Sequence, residues 1–236
     1  MNKTYNYLIF DLDDTLIDNK VSVAHALKYV YQYLEYEFND EELEKWLVFD
    51  DLYWQKWSDQ IYVLPKNINN SNDKNIYQKV RRFLEFFDNI STIEAFELTN
   101  IFCERLGDIV KINDDAHDTL EYLHKDYTIL IGTNGTTKSS HKKLKNTDIY
   151  KYIYGIVTSE ECFHSKPSTI FFEYLFKKYN IQNKDSVLMI GDNVNTDIKG
   201  ALDFGIDTCW LNSDDNHQNI KTKYKINNLK ELKKFL

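Results

Sequence analysis

Two aspartates near the start of the chain have a spacing that suits nucleophilic and acid–base chemistry. Asp11 and Asp13 lie in Asp11-Leu12-Asp13-Asp14-Thr15-Leu16, directly after the apolar run Tyr7-Leu8-Ile9-Phe10. Side chains two residues apart beyond the end of a strand can converge on one point, and carboxylates serve as nucleophiles, acids, bases and ligands of hard cations. Aspartates also cap turns after strands, so this segment alone leaves a structural and a functional interpretation equally open.

Three later segments carry further polar side chains next to turns or helix starts. They are Gly132-Thr133-Asn134-Gly135, Lys166-Pro167 and Gly191-Asp192-Asn193-Val194-Asn195-Thr196-Asp197. A hydroxyl and backbone amides ahead of a helix favour an anion, because unpaired N–H groups and the helix dipole point toward it. Taken singly, each segment also fits an ordinary role as an Asn-Gly turn, a surface lysine or a helix N-terminus stabilised by carboxylates.

Short apolar runs that alternate with helical patterns position these segments. Strands are predicted over 7–10, 128–131, 156–158, 187–190 and 208–211, and helices over 114–125, 136–146, 168–179, 195–204 and 228–236. Such alternation predicts right-handed βαβ units and an α/β fold with a doubly wound, Rossmann-like parallel sheet. Ligands bind such sheets at the carboxyl ends of the strands, where the polar segments would meet.

Residues 19–105 interrupt this alternation with a helical module. The segment contains no glycine, and its apolar residues recur every three or four positions. The predicted stripes are Val23, Leu27, Val30, Tyr31 and Leu34; Leu43, Trp46, Leu47, Leu52 and Trp54; Ile76, Val80, Phe83, Leu84 and Phe87; and Ile93, Phe96, Ile101 and Leu106, with a loop over 65–73. We therefore predict a Rossmann-like core of residues 1–18 and 106–236, with a four-helix cap over 19–105 inserted in the first crossover.

Taken together, the polar segments resemble the signature motifs of the haloacid dehalogenase superfamily of phosphohydrolases. The run Asp11 to Thr15 matches the motif DxDx(T/V), and Thr133, Lys166 and Gly191-Asp192…Asp197 match the remaining motifs in order and approximate spacing. The resemblance covers nearly the whole chain, and the helical module corresponds to the cap of one large subclass. It implies that the Rossmann-like core is a hydrolase core.

The resemblance assigns the two first aspartates to the chemical steps. Asp11 would be the nucleophile that forms an aspartyl-phosphate, and Asp13 would protonate the leaving alkoxide and then deprotonate the attacking water. Dehalogenases of the superfamily expel halide, which needs no proton, and they lack an acid at the position of Asp13. The resemblance therefore favours phosphoryl transfer.

The resemblance also implies a magnesium site and a phosphate site. The carboxylates of Asp11 and Asp192 and the backbone carbonyl of Asp13 would bind Mg²⁺, with Asp197 orienting a metal-bound water. Attack on a phosphate monoester by another anion requires that its charge be neutralised. The groups implied for phosphate binding and charge balance are the Thr133 hydroxyl, the Asn134 backbone amide and the Lys166 ammonium.

The C-terminal half resembles one group of the superfamily more closely. The segments Thr158-Ser159-Glu160-Glu161, Ser165-Lys166-Pro167, Val187 to Asn193 and Thr208 to Asn212 look like those of the pyrimidine 5′-nucleotidases. That resemblance implies a phosphatase of pyrimidine nucleoside 5′-monophosphates, a phosphoric monoester hydrolase of class EC 3.1.3.5. The chain departs from the group at Cys162-Phe163-His164, where a small, glycine-containing sequence is usual.

Composition limits the partners and the compartment. Lys and Arg contribute 29 charges against 37 from Asp and Glu, a net of −8, which argues against a nucleic acid polymer or an anionic membrane as partner. No run approaches the roughly 18 apolar residues of a membrane span, and the first residues lack a secretory pattern. Three cysteines without CxxC spacing disfavour a disulfide framework. We therefore expect a cytoplasmic protein, as a monomer or small homo-oligomer, that acts on a small phosphorylated metabolite.

Other functions remain open at this point. The same motifs would serve a phosphatase of another small metabolite, such as phosphoglycolate or a sugar phosphate, or a sugar-phosphate mutase. A phospho-acceptor signalling domain also uses Asp, Thr and Lys on a doubly wound sheet. In such a domain, however, the acceptor aspartate lies on a later strand than the acidic pair, whereas here the candidate nucleophile follows the first strand.

Overall fold

The computed structural model describes residues 5–68, 71–211 and 220–236. The chain forms two compact units, one of Met1–Asn19 and Val110–Leu236 and the other of Lys20–Ile109. Asn212, part of the nucleotidase-like segments, lies outside the described residues, as do Asn69 and Asn70 of the predicted loop. Within the described ranges, no helix combines the length and the apolar character needed to cross a membrane.

The α-helices and the strands of the described residues are numbered separately, each in chain order. The helices are α1 (Asn19–Tyr33), α2 (Asp40–Ser58), α3 (Ser71–Phe86), α4 (Thr92–Arg105), α5 (Ala116–Leu123), α6 (Thr137–Lys145), α7 (Ser159–Cys162), α8 (Thr169–Lys178) and α9 (Lys199–Phe204). The strands are β1 (Tyr7–Phe10), β2 (Ile17–Asp18), β3 (Lys111–Ile112), β4 (Thr128–Thr133), β5 (Gly155–Thr158), β6 (Val187–Gly191), β7 (Asp207–Leu211) and β8 (Tyr224–Ile226).

A parallel sheet forms the centre of the first unit. In the described part of the chain it has six strands in the order β5-β4-β1-β6-β7-β8, and every neighbouring pair is parallel. The register pairs Phe10 with Ile131 of β4 on one side and with Ile190 of β6 on the other. The three central strands therefore end at nearly the same level, which brings the loops that follow them to one edge of the sheet.

Both faces of the sheet are covered by helices. Along β1, Leu8 and Phe10 belong to one buried cluster and Ile9 to the other, because successive side chains of a strand point to opposite faces. The first cluster includes Leu120 of α5, and the second includes Phe171 of α8. The apolar runs of the sequence are therefore strands buried on both sides, and the predicted α/β class with a doubly wound sheet is confirmed.

Three short strands and the C-terminal segment differ from the sequence prediction. The antiparallel pair β2 and β3 has only two residues per strand, too few to show an alternating pattern. The chain also pairs β8 with β7, where no strand was predicted. The helix expected over 228–236 is instead a 3₁₀ helix over Leu229–Lys234, in which Leu229 and Leu232 are buried three residues apart, as one 3₁₀ turn requires.

Four helices, α1 to α4, form the second unit around one apolar cluster. Its largest buried side chain is Trp46 of α2, which contacts the rings of Phe83, Phe86 and Phe102. The predicted loop over 65–73 is too long, because α3 already begins at Ser71. The predicted stripes include exposed side chains as well: Leu52 is 50%, Ile76 41%, Leu84 37%, Ile93 74% and Phe96 45% exposed. On α4, the inward face instead consists of Ala95, Leu98, Thr99 and Phe102.

Candidate active site

The predicted site residues meet at the carboxyl edge of the central strands. Asp11 follows β1, Thr133 ends β4, and Asp192 follows β6. Lys166 comes from the loop between α7 and α8, and its ammonium reaches into this edge. All of these residues lie in the first unit. The structure thus brings together side chains that are separated by up to about three quarters of the chain.

Lys166 is the centre of the group. Its residue is 2% exposed, and its Nζ donates to Asp11 Oδ1 at 2.6 Å, to Asp197 Oδ1 at 2.7 Å and to the Gly132 carbonyl at 2.6 Å. Burial alone would lower the pKa of Lys166, but the carboxylates of Asp11 and Asp197 outweigh it, so that the pKa is raised. A buried charge is tolerated only with such partners, and Lys166 is therefore held as an ammonium.

The carboxylates carry more charge than Lys166 balances. Oxygens of Asp11, Asp192 and Asp197 lie within 4.8 Å of one another. Burial raises the pKa of Asp11 well above its usual range, against the effect of Lys166. Burial, with the neighbouring Asp197 charge, raises the pKa of Asp192 to about 7. When ionised, the three carboxylates and one ammonium have an excess of two negative charges, which fits a divalent cation with oxygen ligands such as Mg²⁺.

A tight loop after β1 fixes the orientation of Asp13. The amides of Leu16 and Ile17 both donate to the Leu12 carbonyl, at 3.0 and 3.1 Å, and Asp14 has a positive φ of 60°. The reversal turns the Asp13 side chain toward α6, where its carboxylate bonds to the Lys143 ammonium. The same loop presents Thr15, whose hydroxyl donates to Asp192 Oδ1 at 2.8 Å. The first and last predicted segments are thereby joined directly.

Asp197 is fixed by a close approach to the end of β6. Its Oδ2 accepts the Asn193 amide at 3.1 Å, and the residue is 1% exposed. A Cβ at Gly191 would lie 2.3 Å from that Oδ2, closer than any side chain allows. Glycine at 191 is thus required by the position of Asp197, rather than by an unusual φ.

The loop after β4 is closed by its own hydrogen bonds. Thr133 is 1% exposed, and its Oγ1 accepts the Gly135 amide at 3.0 Å. Thr136 then caps α6 by accepting the Ser139 amide at 3.2 Å. The Asn134 side chain bonds to the backbone of Lys166, accepting its amide and donating to its carbonyl. These contacts leave open the predicted role of the Asn134 amide in phosphate binding.

The loop before Lys166 contains a residue in a conformation that favours glycine. Phe163 ends α7 in the left-handed region, with a φ of 60°, and its side chain is largely exposed. This conformation favours glycine at the end of a helix. His164 turns its Nδ1 toward the Cys162 carbonyl at 3.1 Å. The Lys166-Pro167 peptide bond that follows is cis.

Two contacts of the site were missed by reasoning from the sequence. Lys143 lies on the inward face of α6, where an amphipathic pattern predicts an apolar residue. The Trp210 indole N–H donates to the Asp192 carbonyl at 2.9 Å and so holds the loop after β6. Lys143 follows Ser139 by four residues and Ser140 by three, so the three side chains share one face of the helix. This spacing was the only indication in the sequence that Lys143 could face inward.

Comparison with known proteins extends this picture. YfnB from Bacillus subtilis, named as a HAD-hydrolase, is 26% identical over 244 residues, which cover 98% of this chain and 94% of YfnB. A solved structure of YfnB bound to magnesium has a TM-score of 0.86 at 24% identity and covers 99% of both chains, which shows the same fold.

Two pyrimidine 5′-nucleotidases share shorter regions with the chain. PynA from Streptococcus pneumoniae is 32% identical over 120 residues, which cover 50% of this chain and 51% of PynA. YjjG from Escherichia coli is 29% identical over 146 residues, which cover 61% of this chain and 65% of YjjG. The chain thus spans about half to two thirds of these two relatives.

One family description matches most of the sequence. Residues 8–211 match the haloacid dehalogenase-like hydrolases, and this range includes every segment that reaches the carboxyl edge of the sheet. The resemblance predicted from the motifs is confirmed, and the chain belongs to the haloacid dehalogenase-like hydrolase family.

Proposed function

We propose that this hydrolase is a Mg²⁺-dependent phosphomonoesterase that acts through an aspartyl-phosphate on Asp11. The observation that carries the proposal is the buried ammonium of Lys166, bonded to both Asp11 and Asp197 beside Asp192. A carboxylate can attack an anionic phosphate only where positive charge offsets their repulsion, and Lys166 supplies one such charge beside Asp11.

Asp11, Asp192 and the Asp13 backbone carbonyl would hold Mg²⁺. When bound, the cation would supply the positive charge that lowers the barrier to attack on a phosphate dianion. Thr15 and Trp210 support this assignment, because they hold the side chain and the backbone of Asp192. Asp197 contacts Lys166 and the Asn193 amide, which suits a supporting role better than direct binding.

The chain's own groups would carry both chemical steps. A carboxylate oxygen of Asp11 attacks phosphorus, the P–O bond to the leaving group breaks, and Asp13 gives its proton to the departing oxygen. Asp13, now a carboxylate, takes a proton from water as that water attacks the phosphorus of the acyl phosphate. Asp11 is released as a carboxylate together with inorganic phosphate.

We assign phosphate binding to the loop after β4. Thr133 ends β4 and Asn134 follows it ahead of α6, so the Thr133 hydroxyl and the Asn134 backbone amide would bind phosphate oxygens near the start of a helix, a position that favours anions. Lys166 would balance the charge of Asp11 and of the phosphate. The carboxylate at Asp13 favours phosphoryl transfer over halide displacement, since halide leaves without a proton.

For the substrate we propose a pyrimidine nucleoside 5′-monophosphate. Support comes from the C-terminal segments that resemble the pyrimidine 5′-nucleotidases and from the partial similarity to PynA and YjjG. We further propose a cytoplasmic enzyme, a monomer or small homo-oligomer, because the net charge of −8 and the free thiols of Cys103, Cys162 and Cys209 suit a soluble metabolite and a reducing compartment.

A panel of phosphate esters tests both levels of the proposal. Release of inorganic phosphate from UMP, dTMP, AMP, phosphoglycolate and glucose 6-phosphate is measured with Mg²⁺, and kcat/KM is compared. We expect UMP or dTMP to lead AMP by roughly tenfold to 200-fold, the discrimination that a few base contacts supply. A lead for phosphoglycolate or glucose 6-phosphate would overturn the nucleotidase proposal, and no release from any ester would overturn the phosphatase proposal.

A further inference from the structure

Lys143 is a buried lysine that the proposed mechanism has not used. It lies on α6, its residue is 3% exposed, and its Nζ donates to Asp13 Oδ1 and, at 2.8 Å, to Asn19 Oδ1. An ammonium removed from water is costly unless its donors are paired, so these two oxygens determine where the Lys143 side chain ends. The lysine is therefore fixed to the loop that carries Asp13.

The helix that carries Lys143 is fixed as well. Thr136 caps α6, and the inward face of the helix consists of Ser139, Ser140, Lys143 and Leu144. These positions are spaced by one turn, so the cap at the phosphate-binding loop also sets the level at which Lys143 leaves the helix. A shift of α6 along its axis would move the ammonium away from Asp13.

The pairing uses one oxygen of Asp13 and leaves the other available. Lys143 bonds to Oδ1, and within the described residues no hydrogen bond reaches Oδ2. The Asp13 side chain is 27% exposed, whereas that of Lys143 is 4% exposed. The carboxylate is thus held from its buried side, with its second oxygen left to exchange protons.

We propose that Lys143 is a positioning residue, which holds Asp13 in the orientation from which Oδ2 gives a proton to the leaving oxygen and takes one from water. The inference rests on the proposed phosphomonoesterase activity and extends it to a residue outside the four motif segments. Asn19 also holds the Lys143 ammonium, because its side-chain Oδ1 accepts a hydrogen bond from Lys143 Nζ. The backbone N–H of Asn19 in turn donates to Asp14 Oδ1 at 3.2 Å.

The test compares two esters of similar size that differ in their need for a proton. p-Nitrophenyl phosphate expels a stable phenolate, whereas benzyl phosphate must expel an alkoxide that needs protonation. The constant to compare is kcat/KM, because it reports only the steps up to departure of the leaving group, whereas the two esters share the later hydrolysis of the acyl phosphate. Lys143→Met should lower kcat/KM for benzyl phosphate by about 100-fold or more, the scale of general acid–base catalysis, and kcat/KM for p-nitrophenyl phosphate by less than about tenfold. Lys143→Arg should recover much of the activity toward benzyl phosphate, because it keeps the charge and the donors.

Two controls separate positioning from a general structural effect. Lys145→Met changes an exposed lysine of the same helix and should leave both esters unaffected. In an Asp13→Asn background, Lys143→Met should cause no further loss with benzyl phosphate, because the two residues act as one unit. Asn19→Ala should show the same selectivity with a smaller effect, and it decides the question if Lys143→Met does not fold.

Equal losses of kcat/KM for the two esters, or a further loss in the Asp13→Asn background, would overturn the positioning role. Full activity of Lys143→Met toward benzyl phosphate would also overturn it, while the phosphatase proposal would stand. Absence of turnover by the unaltered protein with both esters would instead overturn the phosphatase proposal, and the inference with it.

Discussion

The side-chain amide of Asn134 pairs with the backbone of Lys166 in both directions. Asn134 Oδ1 accepts the Lys166 amide at 2.8 Å, and Asn134 Nδ2 donates to the Lys166 carbonyl at 3.0 Å. Two parallel bonds fix both the distance and the orientation of the partner, as a single bond does not. The loop that would bind phosphate therefore also holds the backbone from which the buried ammonium extends.

This pairing predicts that Asn134 matters beyond its backbone amide. Asn134→Ala removes both bonds but keeps the backbone N–H, and we expect kcat/KM to fall by about 10- to 100-fold, since small misplacements of a charged group cost rates of this order. Asn134→Asp keeps the acceptor and loses the donor, and it should be intermediate. The measurement is p-nitrophenyl phosphate hydrolysis, with the exposed Asn227→Ala as control. Unchanged activity of Asn134→Ala would show that Lys166 is held without it.

A side chain at position 191 should disturb the site by displacing Asp197. In Gly191→Ala the added Cβ would meet Asp197 Oδ2 at 2.3 Å, so the carboxylate must move away from Lys166. We expect a loss of stability of about 1–3 kcal/mol from overpacking, together with a large loss of kcat. Gly205→Ala is the control, because its φ of 92° strains an added side chain at a position away from the carboxylates. That variant should unfold more easily, yet keep the activity of its folded fraction.

The carboxylate cluster predicts that Mg²⁺ stabilises the folded protein in addition to supporting its activity. Asp11, Asp192 and Asp197 repel one another in a buried place, and a bound dication relieves that repulsion in the folded state alone. Mg²⁺ should raise Tm, and EDTA should abolish turnover. The Mg²⁺ concentration required for activity should rise sharply in Asp192→Ala and less in Asp197→Ala. Thermal melts across a Mg²⁺ titration measure both variants independently of activity. Full turnover after exhaustive chelation would contradict the metal assignment.

Replacing Phe163 with glycine should increase the stability of the fold without changing catalysis. Its left-handed φ of 60° costs a residue with a Cβ about 1 kcal/mol, which glycine does not incur. Phe163→Gly should therefore raise the free energy of unfolding by about that amount and leave kcat unchanged. Phe163→Ala removes the same exposed ring but keeps the strain, and it should show no gain. Equal gains in both variants would assign the effect to the ring instead.

The sequence predicted the strands of the central sheet because each is a short apolar run that ends at a polar turn. It also predicted which segments would meet, because parallel strands such as β1 and β6 have their carboxyl ends at one edge. The pairing of Lys143 with Asp13 could not be predicted in this way, since 130 positions separate the two residues and helix periodicity favours an apolar residue at 143.

In the second unit, periodicity alone does not identify the buried face of a helix. On α4, the spacing of Ile93 and Phe96 fits a buried stripe, yet the helix turns Ala95, Leu98 and Phe102 inward. In a helix whose apolar residues are spread around its axis, more than one face satisfies a period of 3.6 residues. The packing of small side chains such as Ala95 against neighbouring helices decides between them, and that information lies in the tertiary contacts.

The most direct test of the account is to look for the phosphoryl group on Asp11. In Asp13→Asn, p-nitrophenyl phosphate should still phosphorylate the protein, because its leaving group needs no proton, whereas hydrolysis of the acyl phosphate lacks its base. The reaction is quenched in acid and the peptides are analysed by mass spectrometry, with Asp11→Asn as control. We expect one phosphoryl group on the peptide that contains Asp11, and none in the control. Turnover of p-nitrophenyl phosphate without phosphorylation of Asp11, or phosphorylation at another residue, would contradict it.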